Sequence, residues 1–107
     1  MGKMSRDKGA RGEREFAKVL SDKGFEAHRG RQYSGGEDSP DVVCKDLGEK
    51  FHFEVKRTET FNAYKAMEQA ESDCGDRIPI VAHRKNHKEW LIVMKADHIL
   101  DIFKEVL

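Results

Sequence analysis

Apolar residues recur along the chain at two different periods, and the switches between them mark out eight elements. Over residues 11–23, Phe16, Ala17 and Leu20 fall at helical spacing, and Gly24 is placed to stop the helix as a C′ residue. Glu13 precedes these three by three, four and seven positions, so it shares their apolar face, where a carboxylate needs a reason. Residues 25–29 fit a short strand. Residues 30–40, with Gly35-Gly36 and Ser39-Pro40, fit a flexible loop. Residues 41–45 hold Val42-Val43-Cys44, a short buried strand entered straight after the proline. Residues 51–57 alternate, with Phe51, Phe53 and Val55 pointing one way and His52, Glu54 and Lys56 the other, so one face is core and the other is chemistry or solvent.

Residues 62–74 return to helical spacing through Tyr64, Met67, Ala70 and Cys74 and stop near Gly75. Two more apolar strands, 78–83 and 90–94, flank a polar turn over 83–88 and predict a hairpin. A last helix over 96–107 carries Ile99, Phe103 and Val106 on one side. The order is α-β-β-β-α-β-β-α. A helix between the third and fourth strands predicts a right-handed parallel crossover inside an otherwise antiparallel sheet, hence a mixed α/β architecture. At 107 residues, with neither an internal repeat nor a low-complexity tract, the chain is expected to be a single domain spanning 1–107.

Charge changes this picture more than composition does. Charged residues make up 37% of the chain, against about 25% in ordinary proteins, yet 20 basic and 20 acidic residues cancel. The cancellation is uneven: residues 1–33 hold nine Lys or Arg and five Asp or Glu, while residues 34–107 hold eleven and fifteen. Arg11, Arg14, Arg29 and Arg31 in the basic front segment suit phosphate contacts, and the acidic remainder suits divalent cations. A solvated amphipathic surface would also account for such runs. Cys44 and Cys74 lack a close partner in sequence and are expected as reduced thiols. With no leader-like apolar stretch at the start and no apolar run of about 18 residues, the chain is expected to be soluble and cytoplasmic.

The chemistry concentrates in Pro40-Asp41 and, after twelve residues, Glu54-Val55-Lys56. Pairing of the two strands would bring two carboxylates beside one ammonium. Hard oxygen donors suit Mg²⁺, with Mn²⁺ as a substitute. A lysine there can orient or help deprotonate a water and offset charge on a phosphoryl transition state, and Glu13 is the obvious third acid. Taken alone, Glu54 and Lys56 would also suit a surface ion pair. His52 shares their face and is expected as a strand-edge residue. His83 and His87 sit in a polar turn, and His28 beside Arg29 suits DNA backbone. Phe61, Tyr64 and Met67 suit either core or a dimer surface.

The run Pro40-Asp41 with Glu54-Val55-Lys56 resembles the PD-(D/E)XK nuclease superfamily. The preamble Gly9-Ala10-Arg11-Gly12-Glu13-Arg14-Glu15-Phe16 is similar to the first helix of archaeal-type Holliday junction resolvases, including those carried by phages. The resemblance implies a restriction-endonuclease-like α-β-β-β-α-β core with a central mixed sheet flanked by helices. It implies Asp41, Glu54, the Val55 carbonyl and Glu13 as metal ligands, with Lys56 as catalytic base or stabiliser. It also implies Ser34 near the cut phosphate and Gln69 facing the site from the second helix, where a solvated helix residue is the alternative. The implied activity is Mg²⁺-dependent cleavage of four-way DNA junctions by a homodimer whose two sites match the junction's two-fold symmetry. A flap, repair or packaging-related nuclease with the same core, or a non-catalytic nucleic-acid-binding module of this fold, remains open.

Overall fold

The computed structural model describes residues 2–30 and 40–107, with side chains from residue 9 onward. Arg31, Ser34 and most of the Gly-rich loop lie outside the described residues. The elements follow in the order α1 (Gly2–Asp22), β1 (Ala27–Arg29), β2 (Val42–Cys44), a 3-10 turn (Leu47–Glu49), β3 (Phe51–Arg57), α2 (Ala63–Asp73), β4 (Ile78–Arg84), β5 (Leu91–Val93) and α3 (Ala96–Val106). The five strands lie in chain order across one sheet, antiparallel except for the β3–β4 pair. That parallel pair is the one α2 connects, as the element order requires.

α1 starts nine residues earlier than the apolar spacing indicates, because its first turns carry too few apolar positions to declare a face. It ends as expected. Gly24 takes φ +100, its N–H donates to the Ser21 carbonyl at 3.0 Å, and Phe25 N–H donates to Leu20 at 3.0 Å, closing the last turn in a Schellman arrangement. α2 starts at a cap, where the Asn62 side chain accepts from Lys65 N–H at 3.0 Å.

Strand register assigns the two faces of the sheet. Val42 sits opposite Phe53, and Phe53 opposite Ile80, so Val42, Cys44, Phe53, Val55, Ile80 and Ala82 form one face. Phe16 and Ala17 of α1 close over it, with the Phe16 ring 6.0 Å from Phe53 and 5.1 Å from Trp90. The other face packs Val81 against Ala66, Met67 and Ala70 of α2. α1 approaches the sheet closely at Gly12, where a Cβ would lie 2.5 Å from the Arg57 Cβ. Glu15 then accepts from both Arg57 (3.1 Å) and Arg84 (3.0 Å), tying α1 to the ends of β3 and β4.

Tertiary packing changes or decides four readings. Of the two open for Tyr64, core or dimer surface, its 85% exposure excludes the core, because the covered side of α2 is set by Ala66, Met67 and Ala70. α3 buries none of its residues, and Phe103 and Val106 remain exposed. His52 is fully buried: the parallel crossover gives β3 a neighbour on each side, and α2 covers the face that carries it. His83 likewise belongs to β4, stacked on Phe61 at 4.0 Å and bonded to the Thr58 carbonyl at 2.9 Å. Both cysteines are free and buried.

Candidate active site

Asp41 stands one residue before β2. Its N–H continues the ladder to the Phe53 carbonyl at 3.0 Å, and its side chain turns back so that Oδ2 accepts from Val55 N–H at 2.8 Å. Glu54 is the neighbour of that bonded amide, and Lys56 follows two residues on, on the same face of β3. Glu13, Asp41 and Glu54 are each at most 9% exposed.

Burying acids together has an electrostatic cost, and Asp41 carries it. Its carboxyl is pushed up from 3.8 to about 7, first by loss of solvent and next by the Glu54 charge; Glu13 adds to the rise, while the Val55 N–H and the Lys56 ammonium oppose it. Glu13, Glu54 and Lys56 are thus each close enough to act on Asp41. Glu13 also has its own counter-ion: Arg29 Nε donates to Glu13 Oε1 at 2.7 Å, so Arg29 works within the acidic cluster, whereas Arg11 and Arg14 stay exposed on α1. Lys56 Nζ donates to Gln69 Oε1 at 2.8 Å, and both line a cleft of about 180 Å³ with Thr58, Phe61, Asn62 and Lys65. Gln69 therefore meets the site through the lysine.

A family model described as archaeal Holliday junction resolvase (Hjc) matches residues 4–101. The chain belongs to the archaeal Holliday junction resolvase family. Among solved structures it is similar to Hjc of Archaeoglobus fulgidus, a Holliday junction resolvase from an archaeal hyperthermophile. The identity is 25% and the TM-score 0.58, over 81% of this chain and 72% of that one. Among curated proteins no relative matches. The chain is accordingly a Holliday junction resolvase nuclease, built as a five-stranded mixed sheet flanked by helices. No described helix is long and apolar enough to cross a membrane.

The structure of this resolvase adds residues that the sequence reading missed. His52 Nε2 lies 3.2 Å from Glu54 Oε1, and one ligand-type atom from each of His52, Glu54 and Asp73 falls within 4.8 Å of the others. Arg77 Nη2 reaches His52 Nδ1 at 3.4 Å. The only signal in the sequence was the position of His52 on the Glu54 face. Asp73 and Arg77 arrive from the far end of α2 and the turn after it, which no local pattern connects to β3.

Proposed function

We propose that the whole chain, residues 1–107, is one nuclease domain that cleaves four-way DNA junctions with Mg²⁺, for which Mn²⁺ substitutes. The observation that carries this reading is the buried Asp41–Glu54 pair, where loss of solvent first and repulsion from Glu54 next raise the Asp41 carboxyl to about 7. Such a pair fits a hard divalent cation, which would remove the repulsion and find oxygen donors. Asp41, Glu54 and the Val55 carbonyl would hold it, with Glu13 as the further acid. The Val55 carbonyl lies on the strand edge that also presents the Val55 N–H to Asp41. When bound, the ion would supply Lewis-acid polarisation of the phosphoryl oxygen and a lower pKa for water.

The chain's own groups do the rest. Lys56, steered by Gln69, holds the attacking water and offsets charge that develops on the phosphoryl group. A lysine suits this role because its ammonium can give up a proton, which a guanidinium does not do. Arg11 and Arg14 meet phosphates from α1. Arg29 does so only with the charge left over from Glu13. Arg31 of the basic front segment completes the phosphate-contacting set, and Ser34 stands near the cut phosphate by family resemblance. Two such sites in a homodimer match a junction's two-fold symmetry, and exposed Tyr64, Leu91, Ile92 and Phe103 offer apolar surface for that contact. The activity belongs in the cytoplasm where the DNA is, a host's cytoplasm if a phage encodes the chain.

The test offers four-way junctions, flaps, plain duplex and single strands with Mg²⁺ or EDTA, using Glu54→Gln and Lys56→Ala as controls. Metal-dependent cleavage restricted to the junction is expected. Failure to cut any substrate would end the enzyme reading, and equal cutting of plain duplex would end the junction reading. Junction binding should weaken with salt by roughly one log-log unit per phosphate contact. A monomeric mass at micromolar concentration would remove the dimer.

A further inference from the structure

We infer that His52, held by Arg77, is a positioning residue that fixes the Glu54 carboxylate for metal binding; the inference rests on the metal-site reading above. His52 is completely buried, and both ring nitrogens are engaged. Arg77 Nη2, which can only donate, lies 3.4 Å from Nδ1, so Nδ1 presents its lone pair. The ring proton is then on Nε2, and it points at Glu54 Oε1, 3.2 Å away. The hydrogen bonds run in one direction, from Arg77 through a neutral imidazole to one carboxylate oxygen.

This arrangement solves a problem that the fold creates. Glu54 sits on β3 among acids: one of its oxygens lies within 4.8 Å of an Asp73 oxygen, and Asp41 is close enough to feel its charge. Repulsion among these acids would favour rotating Glu54 out of the cluster. The imidazole, two residues back on the same face of β3, takes Oε1 without adding net charge, which restricts the side chain's torsions and leaves Oε2 for other partners. Partners of this kind, which orient a ligand without touching the ion, typically contribute 10–100-fold in metal affinity. The same geometry argues against His52 as a ligand within the His52–Glu54–Asp73 group, because its lone pair already faces Arg77.

The test uses the full-length protein without DNA. His52→Leu keeps approximate volume and removes the donor; His52→Gln places an amide N–H near the Nε2 position. Mn²⁺ affinity is read by calorimetry, and electron spin-echo spectroscopy of the Mn²⁺ complex reads directly bonded nitrogen. Expected are a loss of about 10–100-fold in affinity for His52→Leu, recovery of most of it in His52→Gln, and no directly bonded ¹⁴N in the wild type. In junction cleavage the metal concentration for half-maximal rate should rise while the rate at saturating metal changes little. A folded His52→Leu protein with affinity within about twofold of wild type would overturn the inference, since 10–100-fold is expected. So would a Gln variant that lacks affinity altogether, or a nitrogen signal from the imidazole. If the Leu variant does not fold, the Gln variant and the wild-type spectrum still decide. Absence of Mn²⁺ binding by the wild type would instead refute the metal-site reading itself.

Discussion

Replacing Asp41 by Asn should stabilise the metal-free protein at alkaline pH, although it removes a residue proposed to hold the metal. Oδ1 of the Asn can still accept from Val55 N–H, so the bond that joins Asp41 to β3 survives, while the charge that faces Glu54 and Glu13 is gone. The folded protein holds the Asp41 proton to about pH 7, against 3.8 for the ordinary carboxyl. The folded state therefore binds this proton more tightly than the unfolded chain. The stability it contributes is present in full below about pH 4 and is lost as pH rises through about 7. A displacement of about three units at about 1.4 kcal/mol each makes the loss about 4 kcal/mol. In a domain of about 100 residues that corresponds to roughly 15 °C or more in Tm.

The measurement is urea unfolding in EDTA, followed by circular dichroism, for both proteins between about pH 5 and about pH 9. Carboxylates remote from Asp41 titrate alike in both proteins and cancel in the difference. The Asn variant should gain on the wild type up to about pH 7, level off above it, and lead by about 4 kcal/mol on that plateau. A difference that stays flat with pH, or an Asn variant that is the weaker protein at pH 9, would refute the account of buried repulsion. Under the proposed metal site, Mg²⁺ added at alkaline pH should restore the wild type and leave the Asn variant unmoved.

Two glycines of α1 should respond in opposite directions to alanine. Gly9→Ala meets nothing within 4 Å and should add about 0.5–1 kcal/mol, whereas Gly12→Ala drives a Cβ against Arg57 and should cost about 1–3 kcal/mol; thermal melts check both, and equal effects would contradict the close approach. Asn62→Ala removes the α2 cap and should cost about 1 kcal/mol in urea unfolding; no loss of stability would contradict the cap. Lys56→Arg keeps a positive charge but not an ammonium able to give up a proton, and should lower single-turnover cleavage by about 10²-fold or more with unchanged junction affinity. Cleavage near the wild-type rate would restrict Lys56 to an electrostatic role.

The sequence by itself determined what short-range physics controls. Apolar patterning and breaker residues located the three helices and five strands of the described residues, though not the start of α1, the strict alternation over Phe51–Arg57 gave β3 its full length, and Gly24 marked the α1 terminus because few other residues accept φ +100. The spacing of Asp41, Glu54 and Lys56 was legible because an antiparallel pair joins nearby segments. The inward face of Glu13 was legible because helical periodicity alone sets it. Tertiary structure alone decided the rest. His52 looked like an edge residue, since alternation assigns a side chain to a face and cannot say whether that face is covered. The β3–β4 pairing and the packing of α2 made it one of the most buried side chains in the protein. Arg29 read as a phosphate contact and nothing singled out Arg77, because long side chains reach partners 16 and 25 residues away, and no local pattern encodes those pairings. The acidic cluster itself was written in the sequence. The repulsion that raises Asp41, and the neutral imidazole that holds Glu54 in place, arise only when folding removes water from around them.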